Sequence, residues 1–207
     1  MKKDIYWLGE KEKRENSPIC GTENDTSDDN NKVETVNNRI YFYSEVSRSK
    51  NLDLNKAIVN LGINLQNRSV TLNTDPGSIY LHINSYGGSV FAGLSSVDYI
   101  MNSKVPVVSV IDGCAASAAT LMSVTANHRQ MNKHAYMLIH QLSSGLWGKY
   151  EELKDDMENC DSFMKVIKEI YEEHTTVPKK ELAKILKHDL WWDAEKCLKY
   201  GLIDEII

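Results

Sequence analysis

The chain has 207 residues, 42% of them apolar and 26% charged, an ordinary composition for one domain with a core of its own. A formal charge of -5 leaves no basic footprint for phosphate backbones or acidic lipid surfaces, which argues against nucleic acid and membrane as partners. The apolar run Ile5 to Leu8 is too short for a secretory signal, and Val105 to Val124 is broken by Asp112, Gly113 and small polar residues, so it reads as strand, turn and helix. Four well-separated cysteines, Cys20, Cys114, Cys160 and Cys197, with no Cys/His ligand spacing, predict reduced thiols in a cytoplasmic protein without metal or other cofactor.

Residues 15–38 carry six acids against one lysine and are otherwise rich in Asn, Ser and Thr. Such a stretch buries too little apolar area to offset its ordering, so residues 1–38 are expected to be a flexible acidic tail or a pro-segment. The texture changes at Arg39, and the rest, 39–207, reads as one domain. Arg39-Ile-Tyr-Phe-Tyr predicts a strand, and Leu54, Ala57, Ile58, Leu61 and Leu65 recur at helical spacing within 52–65. Ser78 to Asn84 predicts a second strand, with Gly87-Gly88 opening a helix to about Ser103. Pro106 to Asp112 is a near-continuous apolar strand of the kind buried on both faces, and Gly113 precedes a small-residue helix from about Ala116 to Thr125. Ala135 to Ile139 predicts a further strand ending at His140. Alternating strands and helices imply an α/β fold with a largely parallel sheet, whose functional residues gather at the C-terminal strand ends.

A long charged stretch follows in which Leu146, Tyr150, Leu153, Met157, Cys160, Met164, Ile167 and Tyr171 step by four and three. They form one apolar seam on a long helix. It packs either on its own domain or on a neighbouring subunit, and spacing alone does not separate the two.

Three strand ends offer chemistry. Ser117, in Gly113-Cys-Ala-Ala-Ser-Ala-Ala-Thr120, meets a helix N-terminus among residues with almost no side chain, which suits a nucleophile beside unpaired N–H groups; a small capping serine is the plain alternative. A serine hydroxyl needs a base, and His140 is the first polar residue after its apolar strand, although a histidine there can equally be structural. His82 lies inside a strand and is less suitable. Gly87-Gly88 bares backbone N–H groups but matches no phosphate-loop pattern, which disfavours a nucleotide site.

Ile83-Asn-Ser-Tyr-Gly-Gly-Ser-Val, Gly113-Cys-Ala-Ala-Ser, Met137-Leu-Ile-His-Gln, His188-Asp-Leu-Trp-Trp-Asp-Ala-Glu and Tyr200-Gly-Leu-Ile-Asp, in that order, resemble the Clp protease proteolytic subunit family from about Arg39 to Ile207. The resemblance implies the spiral of strand and helix units shared by Clp peptidases and crotonases, with a long protruding handle helix where the apolar seam lies, and so favours the subunit contact. It implies a serine endopeptidase of unfolded proteins or peptides, with Ser117 as nucleophile, His140 as general base and Asp189 as orienting acid. Asp193 is the rival acid. The oxyanion hole would be the N–H groups of Gly88 and Ala118. Implied partners are a peptide substrate, copies of the chain in stacked heptameric rings, and an AAA+ unfoldase. Two alternatives are a phage-type maturation protease working without an unfoldase and a catalytically silent ring subunit. Tyr86 stands where the family has proline before the glycine pair, and Leu142-Ser-Ser-Gly145 replaces Pro-Leu-Gly-Gly, which leaves cleavage preference open.

Overall fold

In the computed structural model, which describes residues 32–145 and 147–207, apolar strands build one seven-stranded sheet in which Lys32–Val36, Arg39–Tyr43, Ile79–Ser85, Val107–Ala116, His128–Met131 and Glu205–Ile206 lie side by side in that order, with Tyr136–Leu138 also paired to Val107–Ala116. β1 (Lys32–Val36) and β2 (Arg39–Tyr43) form an antiparallel hairpin, and every later pairing is parallel. The hairpin turns at Asn37-Asn38, where Asn37 has φ 56°, a left-handed conformation that asparagine tolerates. β1 therefore occupies the end of the stretch expected to be an acidic tail; residues 1–31 of that stretch lie outside the described residues.

β3 (Ile79–Ser85) and β4 (Val107–Ala116) form the centre of the sheet, and Ile79, Leu81, Ile83, Val107 and Ile111 are fully buried. The helices α1 (Arg48–Leu72), α2 (Val90–Met101) and α3 (Ala118–Val124) pack along one another. α1 is longer than the 52–65 expected, because Ser47 caps its start and Asn73, at φ 50°, closes its end. A polar relay runs between α1 and α2: Asn51 donates to Ser96 at 2.7 Å, and Ser96 donates to Asn55 at 2.8 Å. Among the described residues α4 (Tyr150–His174), α5 (Lys179–Ile185) and α6 (Ala194–Lys199) complete the helices. Only the end of the α4 seam enters this chain's core, through Ile167 and Tyr171, whereas Tyr150 and Met157 are exposed. Leu146, the first residue of the seam, lies outside the described residues.

The strand expected to stop at Asp112 continues through Gly113 to Ala116. Its first half pairs with β5 (His128–Met131) from Val108 to Ile111, and its second half pairs with β6 (Tyr136–Leu138) from Cys114 to Ala116. The exchange of partner falls at Gly113, where a Cβ would press on the Asn84 side-chain oxygen at 2.9 Å. Two parallel strands thus end side by side, with Ala116 opposite Leu138. β7 (Glu205–Ile206) closes the sheet beside β5. Among the described residues no helix is long and apolar enough to cross a membrane.

Candidate active site

Ser117 is the hinge between β4 and α3. Its backbone has φ 54° and ψ -126°, outside the regions a residue with a Cβ prefers, at a cost of about 1–3 kcal/mol. A sharp strand-to-helix turn of this kind lifts a serine hydroxyl clear of the sheet. The turn is held on three sides. Ser117 N–H donates to Leu138 C=O at 3.0 Å, and its own carbonyl accepts from Thr120 N–H at 3.0 Å. Gly87, at φ 94°, lies so close that a Cβ there would stand 2.7 Å from Ser117 Cβ. The Ser117 side chain makes no capping bond to α3, so the hydroxyl is not consumed by the plain structural role.

β6 delivers the second residue. Ile139 is buried and His140, two residues past the strand end, turns into the cavity that Ser117 borders together with Val90, Ala118 and Leu142. His140 Nδ1 lies 3.2 Å from Asp189 Oδ1. Asp189 comes from the segment after α5, and an antiparallel bridge fixes that segment on β6: Met137 N–H donates to Trp192 C=O at 2.9 Å and Trp192 N–H donates to Met137 C=O at 2.7 Å. Trp192 is the buried anchor of the segment and packs against Tyr200 with the rings tilted and their centroids 4.9 Å apart. Asp193 is occupied elsewhere: it caps α6 by accepting from Lys196 N–H at 2.8 Å. The pairing of His140 therefore falls to Asp189. Among the described residues no hydrogen bond joins Ser117 Oγ to His140, although both face one cavity.

Gly88, at φ 143°, is held by a parallel bridge to Val46, in which Val46 N–H donates to Gly87 C=O and Val46 C=O accepts from Ser89 N–H. A parallel bridge of this pattern uses the groups flanking Gly88 and leaves its own N–H turned away from Val46. Ala118 is the first residue of α3, so its N–H has no intrahelical acceptor. Two backbone donors thus come from loops packed on each other through Gly87, whose added Cβ would also crowd Ala118 N at 3.2 Å. Next to them, Tyr86 and Trp191 meet edge to face at 6.3 Å. No group of His, Cys, Asp and Glu among the described residues could hold a metal ion.

A family model described as Clp protease matches residues 31–207. The chain belongs to the Clp protease family. Curated relatives agree: the chain is 32% identical over 131 residues to an ATP-dependent Clp protease proteolytic subunit of Deinococcus radiodurans, covering 62% of this chain and 64% of that one. It is 34% identical over 139 residues to subunit 1 of Streptomyces coelicolor, covering 66% and 64%, and 36% identical over 133 residues to that of Streptococcus mutans, covering 62% and 68%. The matches thus span about 64% of the length of the first two of these relatives. Among solved structures, a ClpP1 mutant from Listeria monocytogenes superposes with a TM-score of 0.71 at 24% identity, covering 83% of this chain and 91% of that one. The fold is that of the Clp proteolytic subunits.

Sequence reasoning missed Thr120 and Tyr171, which border the Ser117 turn and hydrogen-bond to each other at 2.5 Å. Tyr171 was visible only as an apolar position of the α4 seam.

Proposed function

We propose that the chain is a serine endopeptidase of the Clp proteolytic-subunit type. The observation that carries this reading is the convergence of Ser117, on a strained turn with an unengaged hydroxyl, with His140 on the same cavity and Asp189 on His140 Nδ1. In this reading Ser117 Oγ attacks the scissile carbonyl while His140 Nε2 takes its proton. Asp189 keeps the imidazole proton on Nδ1 and stabilises the imidazolium. The carbonyl oxygen, now an oxyanion, accepts hydrogen bonds from Gly88 N–H and Ala118 N–H, and His140 then gives its proton to the departing amine. Water, deprotonated by His140, releases the acyl group and restores the hydroxyl. Hydrogen bonds of this kind are often open in a free enzyme and tighten around substrate, as the Ser117–His140 approach would here.

The same reading makes unfolded protein or peptide the substrate and a cytoplasmic ring of copies the working form. The exposed half of the α4 seam, Tyr150 and Met157, supports a subunit contact, and stacked heptameric rings fed by an AAA+ unfoldase are the form the family resemblance favours. The open Ser117–His140 gap favours one second reading, a silent ring subunit.

Reaction of the assembled protein with a fluorophosphonate, read by intact mass, separates them. A single adduct mapping to Ser117 and lost in Ser117→Ala and His140→Ala is the expected result. An assembled, folded ring that takes no adduct would sink the peptidase reading.

A further inference from the structure

Ser117 C=O and Ala118 N–H belong to one rigid peptide group, so whatever holds that carbonyl also aims that N–H. The carbonyl accepts twice from Thr120, from its N–H at 3.0 Å and from its hydroxyl at 2.6 Å. A threonine hydroxyl has a single proton. With that proton given to the carbonyl, Thr120 Oγ1 can only accept in its 2.5 Å contact with Tyr171, so the phenol is the donor. The direction is fixed: Tyr171 O–H to Thr120 Oγ1–H to the Ser117 carbonyl.

Both residues are buried, Thr120 fully and Tyr171 to 1% exposure. Burial holds the Tyr171 phenol above the usual tyrosine value, so it keeps its proton at any working pH. Phe and Val would fill these two spaces without hydroxyls to desolvate. Packing alone does not call for a hydroxyl at either position, and both hydroxyls serve one carbonyl.

We propose that Thr120 and Tyr171 are positioning residues that orient and polarise the Ser117–Ala118 peptide for oxyanion binding, an inference that rests on the serine peptidase reading above. Hydrogen bonds accepted by a peptide carbonyl draw electron density from its N–H and strengthen that N–H as a donor. The chain also ties the nucleophile turn to α4, so a displacement of α4 at Tyr171 reaches the oxyanion donor through two hydrogen bonds.

The test uses the full chain and the variants Tyr171→Phe, Thr120→Val, Thr120→Ser and the double variant Tyr171→Phe/Thr120→Val. For each, kcat and KM are measured on a fluorogenic peptide, together with the affinity of a peptide aldehyde, which adds the Ser117 hydroxyl to give a tetrahedral adduct. Tyr171→Phe is expected to lower kcat about tenfold, the scale of one hydrogen bond, with KM within about twofold. Aldehyde affinity should fall by the same factor. Thr120→Val should lose more, the double variant should match Thr120→Val because the phenol acts only through that hydroxyl, and Thr120→Ser should stay near wild type. Unchanged kcat and aldehyde affinity in both Tyr171→Phe and Thr120→Val, or a rise in KM alone, would overturn the inference while wild-type labelling by the fluorophosphonate leaves the peptidase reading standing. A wild type that neither labels nor hydrolyses overturns both. Should Tyr171→Phe not fold by thermal melt, Thr120→Val against Thr120→Ser decides.

Discussion

His82 with Asp112 and His140 with Asp189 are chemically the same pair, 2.9 Å and 3.2 Å apart, in two different settings. His82 is wedged in the sheet, stacked on Tyr41 at 4.6 Å, and its Nε2 lies 2.7 Å from the Arg39 guanidinium. Arginine only donates, so that nitrogen must accept, and Nδ1 carries the proton toward Asp112. Asp112 also accepts from Tyr43 at 2.6 Å and from Asn132 at 3.0 Å, with its side chain 16% exposed. His140 spends only Nδ1, on an aspartate 78% exposed, and its other nitrogen has no protein partner among the described residues. A histidine–aspartate pair is thus poised for proton transfer by what it leaves unbonded. The more completely satisfied pair is the structural one.

The largest effect that could break this contrast is at the histidines. His140→Ala should cut kcat by roughly a million-fold, the scale of losing a triad base. His82→Ala should leave peptide hydrolysis within about threefold of wild type yet lower thermal stability by about 1–3 kcal/mol, since Arg39 and Asp112 lose their partner. Equal losses of turnover, measured on the same peptide, would erase the distinction.

Next come the acids. Asp189→Asn should lower kcat on the order of 100-fold, less than the roughly 10,000-fold of a buried triad acid, because solvent already screens so exposed a charge. Asp193→Asn, which keeps a capping oxygen on α6, should stay within about twofold. Steady-state kinetics that reversed this order would make Asp193 the orienting acid.

A smaller effect distinguishes the pairs by pH. Burial pushes the Asp112 carboxyl up, but hydrogen bonds from His82 and Tyr43 outweigh it and hold the group below the usual carboxylate value. A carboxyl depressed in the folded state adds stability above its unfolded value, near about pH 4, and loses it as pH falls through the depressed one. Melting temperatures followed downward from about pH 6 should therefore fall less steeply on acidification in Asp112→Asn than in wild type. Parallel acid limbs would show that this network does not carry that part of the pH dependence. Smallest is the aromatic shelf: Trp191→Ala should shift cleavage preference among peptides within roughly tenfold, and an unaltered product profile by mass spectrometry would remove Trp191 from the substrate groove.

Hydrophobic periodicity was sufficient for the parallel core, since β2, β3, β4 and β6 are runs of β-branched, aromatic and aliphatic residues. It failed for β1, β5 and β7. Lys-Val-Glu-Thr-Val sits in an acidic stretch, His-Arg-Gln-Met has only one buried residue, and Glu-Ile is two residues long. Gly113 read as a strand end because glycine usually punctuates, whereas here it lets β4 change partners without stopping. Ser117 and His140 were legible as strand-end polar residues. Asp189 was not, for an exposed acid has no local pattern and only the family resemblance singled it out. The Thr120–Tyr171 bond was invisible because its partners are 51 residues apart, one in a small-residue helix and the other on the apolar seam.

The backbone bridge between Met137 and Trp192 also sets a timetable. A chain is made from its N-terminus, and the nucleophile turn, the glycine pair and the base are all encoded by His140. The acid reaches that base only after the chain has gone out along α4, returned through α5 and laid Trp192 against β6. Under the serine peptidase reading, a ribosome-bound chain therefore carries Ser117 and His140 for the whole of that journey without the carboxylate that pairs with the imidazole, and the site is completed only when the segment after α5 has folded back.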